Sequence, residues 1–316
     1  MSLALSFNST TVRAYTETLA ARLGLGLSVR LSPERAVAEA ARRFLTPPPV
    51  THRERDKAFL AQGRGFVVPS AGVRLAAWRF GEAHRPAVVL SHGWGGRAGQ
   101  FQAFVPALVA AGWQAVVFDH AGHGRSEGKE ASLVGFARAL AAVVGAIESQ
   151  GADVTGLIGH SLGAAAIPVF LRESGRTPRS VLVAPPASLV GYSSFFARRL
   201  GLSEALRARM QAQVEHRLGF AWRDIELPRG VASLASPALV IHDEDDRDVR
   251  LQAGLAIARA WPGARFVRTS GLGHSAVLRD AGVVRDAIDF LRDAVVFAPP
   301  PASGETSAHS GPSPIL

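Results

Sequence analysis

Apolar and polar positions follow two recurring patterns along the middle of the chain. Short apolar runs, such as Ala87–Ser91 and 115–118, are typical of strands buried on both faces of a parallel sheet. Longer stretches with a helical spacing of apolar residues lie between such runs, at about 98–111 and 132–149. Because strands and helices alternate in this way, the pattern predicts a doubly wound, mostly parallel α/β sheet with right-handed crossovers.

The two ends of the chain differ from this middle part. Ser32 and Pro33 are typical of a helix cap followed by a first-turn proline, and Pro47 ends the helical pattern that they start. An earlier amphipathic segment at about 11–23 predicts another helix, and these helices either pack on the core or cover a ligand site. The predicted organisation is an N-terminal helical extension at 1–64, an α/β domain at 65–298 and a disordered tail at 299–316.

One stretch, at about 187–236, interrupts the alternation after the sixth predicted strand. A helical pattern at 204–218 and many apolar side chains favour a helical cap that is inserted into the α/β domain. A helical subdomain with no role in substrate binding is the alternative. The cap predicts an apolar substrate pocket, and the residues expected to line it are Tyr192, Phe195, Phe196 and Met210.

The composition narrows the possible functional classes. The 316 residues include 47% hydrophobic residues and no cysteine, which excludes disulfides and thiolate chemistry. The formal net charge is +9, but the basic residues are scattered arginines rather than blocks, so nucleic-acid binding is not predicted. No apolar run reaches the roughly 18 residues of a membrane span. Because no secretory signal pattern opens the chain either, the sequence predicts a cytoplasmic protein without a membrane span.

The pentapeptide G-x-S-x-G occurs twice, at 159–163 and at 124–128. The first copy follows one apolar run and enters another, so it lies where a predicted strand turns into a helix. Small residues around Ser161 permit a sharp turn that lifts its hydroxyl over the positive end of the following helix. The second copy follows a polar turn and leads into Lys129, so we interpret Ser126 as a loop residue.

The strand, turn and helix around Ser161 resemble the nucleophile elbow of the α/β-hydrolase superfamily. Three further segments resemble motifs of that superfamily in the same order along the chain: an H-G-x loop at 92–94, a D-x-P-G-x-G-x-S signature at 119–126 and an H-G-x-x-D-x-x-V-P loop at 242–250. The positions that depart from these motifs are Ala121, Asp243 and Arg250. The resemblance covers about 66–296 and implies an α/β-hydrolase fold, most like bacterial esterase/lipase-like or serine-aminopeptidase-type members.

A serine hydroxyl becomes an effective nucleophile when a base takes its proton and an acid orients that base. The superfamily order of Ser, acid and His points to His274, which lies in a glycine-rich loop after a predicted strand. The resemblance of the acidic loop assigns the acid to Asp246, with Asp245 and Asp243 as alternatives. Serine at position 161 disfavours dehalogenases and epoxide hydrolases, which carry Asp at the elbow.

Acyl transfer also needs two backbone N–H groups aimed at the developing oxyanion. Leu162, the residue after the nucleophile, supplies one, and the resemblance of the loop at 92–94 implies the Trp94 amide as the second. An ordinary glycine-rich turn is the alternative interpretation of that loop. The acidic run at 243–248 lacks the Gly and Glu positions of a calcium loop, so no metal site is expected.

Together these residues predict a serine hydrolase that cleaves small-molecule carboxylic esters of small to medium acyl chains through an acyl-enzyme, without a cofactor. A thioesterase, a peptidase, a C–C hydrolase and an acyltransferase use the same triad and stay open as alternatives. A non-catalytic binding protein on the same fold is a further alternative, although such proteins usually lose a triad member. The sequence does not determine the oligomeric state.

Overall fold

The computed structural model describes residues 31–293, so the predicted helix at about 11–23 and the predicted tail at 299–316 lie outside the described residues. The described part contains one eight-stranded sheet with helices on both faces. Its strands are β1 (Arg64–Ser70), β2 (Val73–Phe80), β3 (Ala87–Ser91), β4 (Gln114–Phe118), β5 (Val154–His160), β6 (Arg179–Val183), β7 (Ala238–Asp243) and β8 (Arg265–Thr269).

The strands lie in the order β1-β2-β4-β3-β5-β6-β7-β8 across the sheet. β1 and β2 form an antiparallel hairpin and β2 also pairs antiparallel with β4, whereas all other neighbours pair in parallel. The doubly wound, mostly parallel sheet predicted from the sequence is therefore confirmed. The parallel strands end at one edge, which is where ligands bind in sheets of this kind.

Helices connect most of the parallel strands. The α-helices of the described residues with at least seven residues are Pro33–Leu45, Glu54–Leu60, Phe104–Ala110, Leu133–Glu148, Leu162–Ser174, Leu189–Leu200, Glu204–Leu218, Leu251–Ala260 and Ala281–Arg292. The shorter α-helical and 3₁₀ turns are Ala98–Phe101, Trp222–Ile225, Leu227–Gly230, Gly273–Ala276 and Val277–Arg279. Between residues 31 and 293, no helix combines the length and the apolar composition that crossing a bilayer requires.

Separate hydrophobic clusters cover the two faces of the sheet. The helices Leu133–Glu148, Leu162–Ser174 and Leu251–Ala260 pack on one face, and Phe104–Ala110 and Ala281–Arg292 pack on the other. Strands β3 and β4 are buried along their whole length, which explains their apolar sequences. The sheet therefore forms a rigid platform whose carboxyl edge carries the loops described below.

Two predicted helices are interrupted in the structure. The stretch predicted as one helix at 98–111 forms a 3₁₀ turn and then an α-helix that begins at Phe104. The sequence also predicts a helix at about 276–296, but the main helix there begins only at Ala281, because the side chain of Asp280 caps its first turn. Both differences arise from local capping and turn geometry. The spacing of apolar residues does not show where a helix is capped or interrupted by a turn.

The cap consists mainly of a first cap helix (Leu189–Leu200) and a second cap helix (Glu204–Leu218). Both pack against the N-terminal helix (Pro33–Leu45) in a third hydrophobic cluster, in which Met210 and Phe44 are buried. The two cap helices and the N-terminal helix therefore form one packed unit.

Candidate functional site

Ser161 lies at a strained turn between β5 and the elbow helix (Leu162–Ser174). Its φ is +52°, a left-handed backbone conformation that non-glycine residues rarely adopt. The Ser161 amide donates to the Val183 carbonyl at 2.9 Å, which ties the turn to the end of β6. Backbone strain of this kind is concentrated at functional sites, so the turn marks Ser161 as a candidate functional residue.

The glycines around this turn are required by close backbone approach. A Cβ on Gly159 would lie 2.4 Å from the backbone of the elbow helix, and a Cβ on Gly163 would lie 2.3 Å from the Ser91 carbonyl oxygen. A Cβ on Gly93 would lie 2.8 Å from the Cβ of Ser161. The elbow, the end of β3 and the loop after β3 therefore meet without room for further side-chain atoms.

The serine of the second G-x-S-x-G copy lies in a loop, as the sequence predicts. The Ser126 hydroxyl donates to the Asp119 carbonyl at 2.5 Å and accepts from the Ala76 amide at 2.9 Å. These two bonds tie the loop after β4 to β2. The hydroxyl is therefore engaged in holding the fold.

His274 and Asp246 are hydrogen-bonded to each other. They follow β8 and β7, which are adjacent parallel strands, so their loops meet at the carboxyl edge of the sheet. Nδ1 of His274 lies 2.7 Å from Oδ2 of Asp246, whose side chain is fully buried whereas that of His274 is 15% exposed. Since the bond uses Nδ1, Nε2 is the ring nitrogen left to exchange a proton with another group.

Several donors keep the Asp246 carboxylate ionised. Burial by itself would raise its pKa, but the nearby His242 imidazole and hydrogen bonds from His274 and the Val249 amide together hold the pKa well below its usual range. Its other oxygen accepts from the amides of Asp248 and Val249, both at 2.8 Å. Asp246 is thereby fixed as a permanent acceptor for the His274 ring.

The other candidate carboxylates of the acidic loop have different partners. Asp243 accepts from the Thr269 hydroxyl at 2.7 Å and from two amides of the loop after β8. Asp245 accepts from another amide of that loop at 2.8 Å. Both carboxylates hold the loop that carries His274, whereas Asp246 is the one of the three that is bonded to the ring.

Ser161 and His274 line the same cavity. His160, next to the serine, has its Nε2 2.8 Å from the His274 carbonyl oxygen, so the end of β5 supports the histidine loop from inside. Within residues 31–293 the Ser161 hydroxyl has no hydrogen-bond partner. A hydrogen bond between a nucleophile and its base often forms only when a substrate is bound. The cavity that Ser161 and His274 share is therefore what connects the two residues here.

The predicted oxyanion donors lie on the two sides of Ser161. Leu162 begins the elbow helix, and the first amides of a helix have no acceptor within it. Trp94 lies in the loop after β3, where the next two amides are bonded to the His123 ring and to a backbone carbonyl. In the described range 31–293 no acceptor pairs with the Trp94 amide. Both residues line the cavity, so their amides are available to a ligand there.

Two buried polar pairs tie the segment between the N-terminal helix and β1 to the loops after β3 and β4. Asp56 accepts from Nε of Arg97 at 2.5 Å, and the two side chains are 1% and 11% exposed. Nε2 of His52 lies 2.7 Å from Oδ2 of Asp119, and both side chains are buried. The sequence left the role of the extension open because these partners lie 41 and 67 positions apart in the chain.

Asp119 has a structural role that the sequence analysis missed. Besides His52, its carboxylate accepts from the amides of Ala98 and Arg125, at 2.7 and 2.8 Å. Burial would raise its pKa, but these hydrogen bonds and the nearby imidazoles lower it below its usual range. Asp119 thus joins the loops after β3 and β4 to the extension. Its position at the head of the signature at 119–126 was the signal that pointed to it.

An apolar cavity of about 220 Å³ opens beside the elbow. Of the four cap residues expected to line a pocket, Tyr192 and Phe195 do so. The expectation was wrong for Phe196 and Met210, because both face the N-terminal helix instead. The Phe196 ring centroid lies 5.3 Å from that of Phe44, and Met210 is fully buried in the same cluster. Packing against the N-terminal helix thus determines which face of each cap helix turns away from the cavity.

A cluster of potential metal ligands overlaps the same site. Ligand atoms of Asp246, Asp248 and His274 lie within 4.8 Å of one another. His274 and Asp246 are already bonded to each other, and Asp246 also accepts from two amides. This donor set is engaged in orienting an imidazole and suits acid–base chemistry better than ion binding.

Comparisons with known proteins show which proteins the chain resembles. Residues 82–227 match the family model described as "Serine aminopeptidase, S33". The structure is similar to that of the Pyrococcus furiosus esterase Pf2001, with 20% identity, a TM-score of 0.59, and coverage of 78% of this chain and 98% of that chain. It is also similar to Est1E from Butyrivibrio proteoclasticus, solved with ferulic acid bound, with 19% identity, a TM-score of 0.58, and coverage of 72% and 97%.

A curated relative matches a shorter segment. Over 102 residues the chain is 33% identical to "Epoxide hydrolase A" of Mycobacterium tuberculosis. The aligned segment covers 32% of this chain and 32% of that protein. The match thus spans about a third of the relative. The two solved structures, both below 25% identity, establish the fold.

Buried histidines make stability depend on pH. Burial lowers the pKa of His92 and His160 to about 3, and it lowers the pKa of His120 well below the ordinary value. The ordinary pKa is about 6.5, so these three histidines bind a proton in the unfolded chain as the pH falls, but they stay neutral in the native state. We expect the free energy of unfolding to decrease between about pH 6.5 and 4, by up to roughly 1 kcal/mol per pH unit for each histidine. Urea unfolding at several pH values measures this slope.

The control distinguishes buried from exposed imidazoles. His160→Gln should reduce the slope by about one proton, whereas His84→Gln, at a side chain that is 79% exposed, should leave it unchanged. A free energy of unfolding that stays constant down to pH 4.5 would contradict the role of the buried histidines.

The buried pair of Asp56 and Arg97 should matter more to stability than a surface pair on the same helix. Asp56→Asn leaves a buried guanidinium without its countercharge and should cost about 3–5 kcal/mol. Glu54→Gln removes the exposed partner of Lys57, paired at 2.7 Å, and should cost less than about 1 kcal/mol. Urea unfolding of both variants tests the difference, and equal losses would contradict it.

Proposed function

We propose that the chain is a serine hydrolase of the α/β-hydrolase superfamily and that it cleaves carboxylic esters of small to medium acyl chains. One observation carries the proposal: the strained Ser161 and His274, whose ring is bonded to the buried Asp246, line the same apolar cavity. Strand ends that are far apart in the chain converge there. A scaffold without catalytic function does not require this convergence.

In the proposed reaction, Oγ of Ser161 attacks the ester carbonyl carbon while Nε2 of His274 takes the serine proton. Asp246 stays ionised and stabilises the imidazolium that forms. The amides of Trp94 and Leu162 donate to the oxyanion of the tetrahedral intermediate. His274 then gives its proton to the alcohol oxygen, the alcohol leaves, and the acyl group stays on the serine.

Water completes the cycle by the same route. His274 takes a proton from water as the water attacks the acyl-enzyme, and it returns that proton to Ser161 when the carboxylic acid is released. Every proton in the scheme passes through one imidazole, so the proposal needs no cofactor.

The cavity lining supports an apolar acyl group. Its apolar wall includes Leu133, Leu162, Ala165, Leu189, Ile225 and Leu227. Each methylene that such a wall buries contributes about 0.8 kcal/mol to binding, which favours longer acyl chains until the cavity is full. Acetate esters are therefore expected to be poorer substrates than butyrate-to-octanoate esters.

A second candidate function, aminopeptidase activity, is favoured by one acidic residue. Asp248 lines the cavity together with His274, and its carboxylate belongs to the cluster described above. A carboxylate in this place could pair with the free amino group of a peptide, in keeping with the description of the matching family model. Comparing aminoacyl anilides with nitrophenyl esters decides between the two functions.

The two G-x-S-x-G serines should respond differently to substitution. Ser161→Ala should lower kcat by at least about three orders of magnitude without unfolding the protein, because the nucleophile is lost. Ser126→Ala should stay within severalfold of the native kcat and lose stability instead, since its hydroxyl makes two structural bonds. Ester turnover and thermal unfolding of both variants measure this. Equal loss of activity in both would contradict the assignment of the nucleophile.

The acid should be identifiable among neighbouring carboxylates. Asp246→Asn should lower kcat by about 10⁴, because the amide stabilises the wrong tautomer of His274. Asp248→Asn and Asp245→Asn are matched controls in the same loop, and each should cost much less. Steady-state kinetics on one nitrophenyl ester gives all three values. A larger loss in Asp248→Asn than in Asp246→Asn would assign the acid elsewhere.

A further inference from the structure

A second, smaller cavity lies behind the first. It measures about 30 Å³ and its lining is almost wholly apolar. Five residues line both cavities and so form the partition between them: Trp94, Leu133, Leu162, Leu189 and Tyr192. Two of these belong to the first cap helix and one to the elbow helix. The partition therefore lies at the boundary between the cap and the α/β core.

The far wall of the second cavity comes from the N-terminal helix and from the cap. Phe44 and Leu45 line it from the N-terminal helix, Val214 from the second cap helix, and Trp222 from the turn that follows that helix. The Phe44 ring stacks on Trp222 with 5.2 Å between ring centroids, and it lies 5.8 Å from the ring of Tyr192. Phe44 thus connects the partition to the buried interior of the cap.

We propose that the two cavities form one acyl channel, which runs from Ser161 past Tyr192 and ends against Phe44. The inference rests on the proposed ester hydrolysis and makes Phe44, outside the part of the chain that matches the family model, the residue that sets the longest accepted acyl chain. The substrate class is then an ester of an unbranched, medium-length fatty acid.

The chemistry of the second cavity supports this substrate class. In the part of the chain that the structure describes, no acidic or basic side chain lines it, and its polar side-chain groups are the hydroxyls of Ser132 and Tyr192 and the indole N–H of Trp94. A charged acyl group would therefore lose its hydration there without a compensating countercharge. Tyr192, in the partition, is 38% exposed, so its ring can move toward solvent without leaving a hole in the core. An apolar chain of sufficient length gains burial by entering.

The test is the dependence of kcat/KM on acyl chain length, measured with nitrophenyl esters from acetate to dodecanoate. For the native protein we expect a several-fold rise with each added pair of carbons up to an optimum, followed by a decline. Phe44→Ala should move the optimum at least two carbons toward longer chains. Val214→Phe, which fills the second cavity, should move it toward shorter chains.

Met210→Ala is the matched control. Met210 is fully buried in the cluster that contains Phe44 but lines neither cavity, so its truncation weakens the same packing without lengthening the channel. Its chain-length optimum should equal the native one. An unchanged optimum in Phe44→Ala, or an equal shift in Met210→Ala, overturns the proposal. If Phe44→Ala does not fold, Phe44→Leu is used under the same criteria.

Binding of the product acids separates this inference from the proposed function. Titration calorimetry with hexanoate, octanoate, decanoate and dodecanoate requires no turnover. One result would support the channel and contradict the proposed function: the native protein hydrolyses no ester, but Phe44→Ala binds decanoate several-fold more tightly than the native protein does. If esters are hydrolysed but neither the chain-length optimum nor decanoate affinity changes in Phe44→Ala, the channel fails alone.

Discussion

The left-handed backbone of Ser161 is the constraint on which the rest of the site depends. A residue at φ +52° costs energy and persists only when its surroundings hold it there. Here β5 enters the turn, the elbow helix leaves it, and the glycines at 93, 159 and 163 let three backbone segments meet around it. The adjoining loops of Trp94 and His274 are packed against this turn, so its geometry sets the geometry of the whole site.

The N-terminal extension completes the structure around that turn. His52 and Asp56 bind buried partners in and beside the loop after β3, and the N-terminal helix packs on the cap helices. Since a buried carboxylate and its partner must be satisfied together, these bonds restrict how far the loop of Trp94 can move. The extension therefore acts on the site from two directions: it braces the loop and it closes the cap.

The sequence predicted most of what is local and little of what depends on distant packing. Strands β3 and β4 were predictable because burial on both faces demands continuous apolar runs. The turn around Ser161 was predictable because its small residues are contiguous in the chain. The pairing of Asp119 with His52 was not, since nothing in either segment indicates the other. Phe196 and Met210 were misplaced for the same reason, because the face that a cap helix turns inward depends on the N-terminal helix against which it packs.

Covalent labelling with a fluorophosphonate shows whether Ser161 is an activated nucleophile. Such a probe reacts with a serine hydroxyl only where a base and an oxyanion site activate it. We expect one adduct per folded chain, mapped by peptide mass spectrometry to Ser161, and no adduct after heat denaturation. Absence of labelling in the folded protein, or an adduct on Ser126 or another serine, would contradict it.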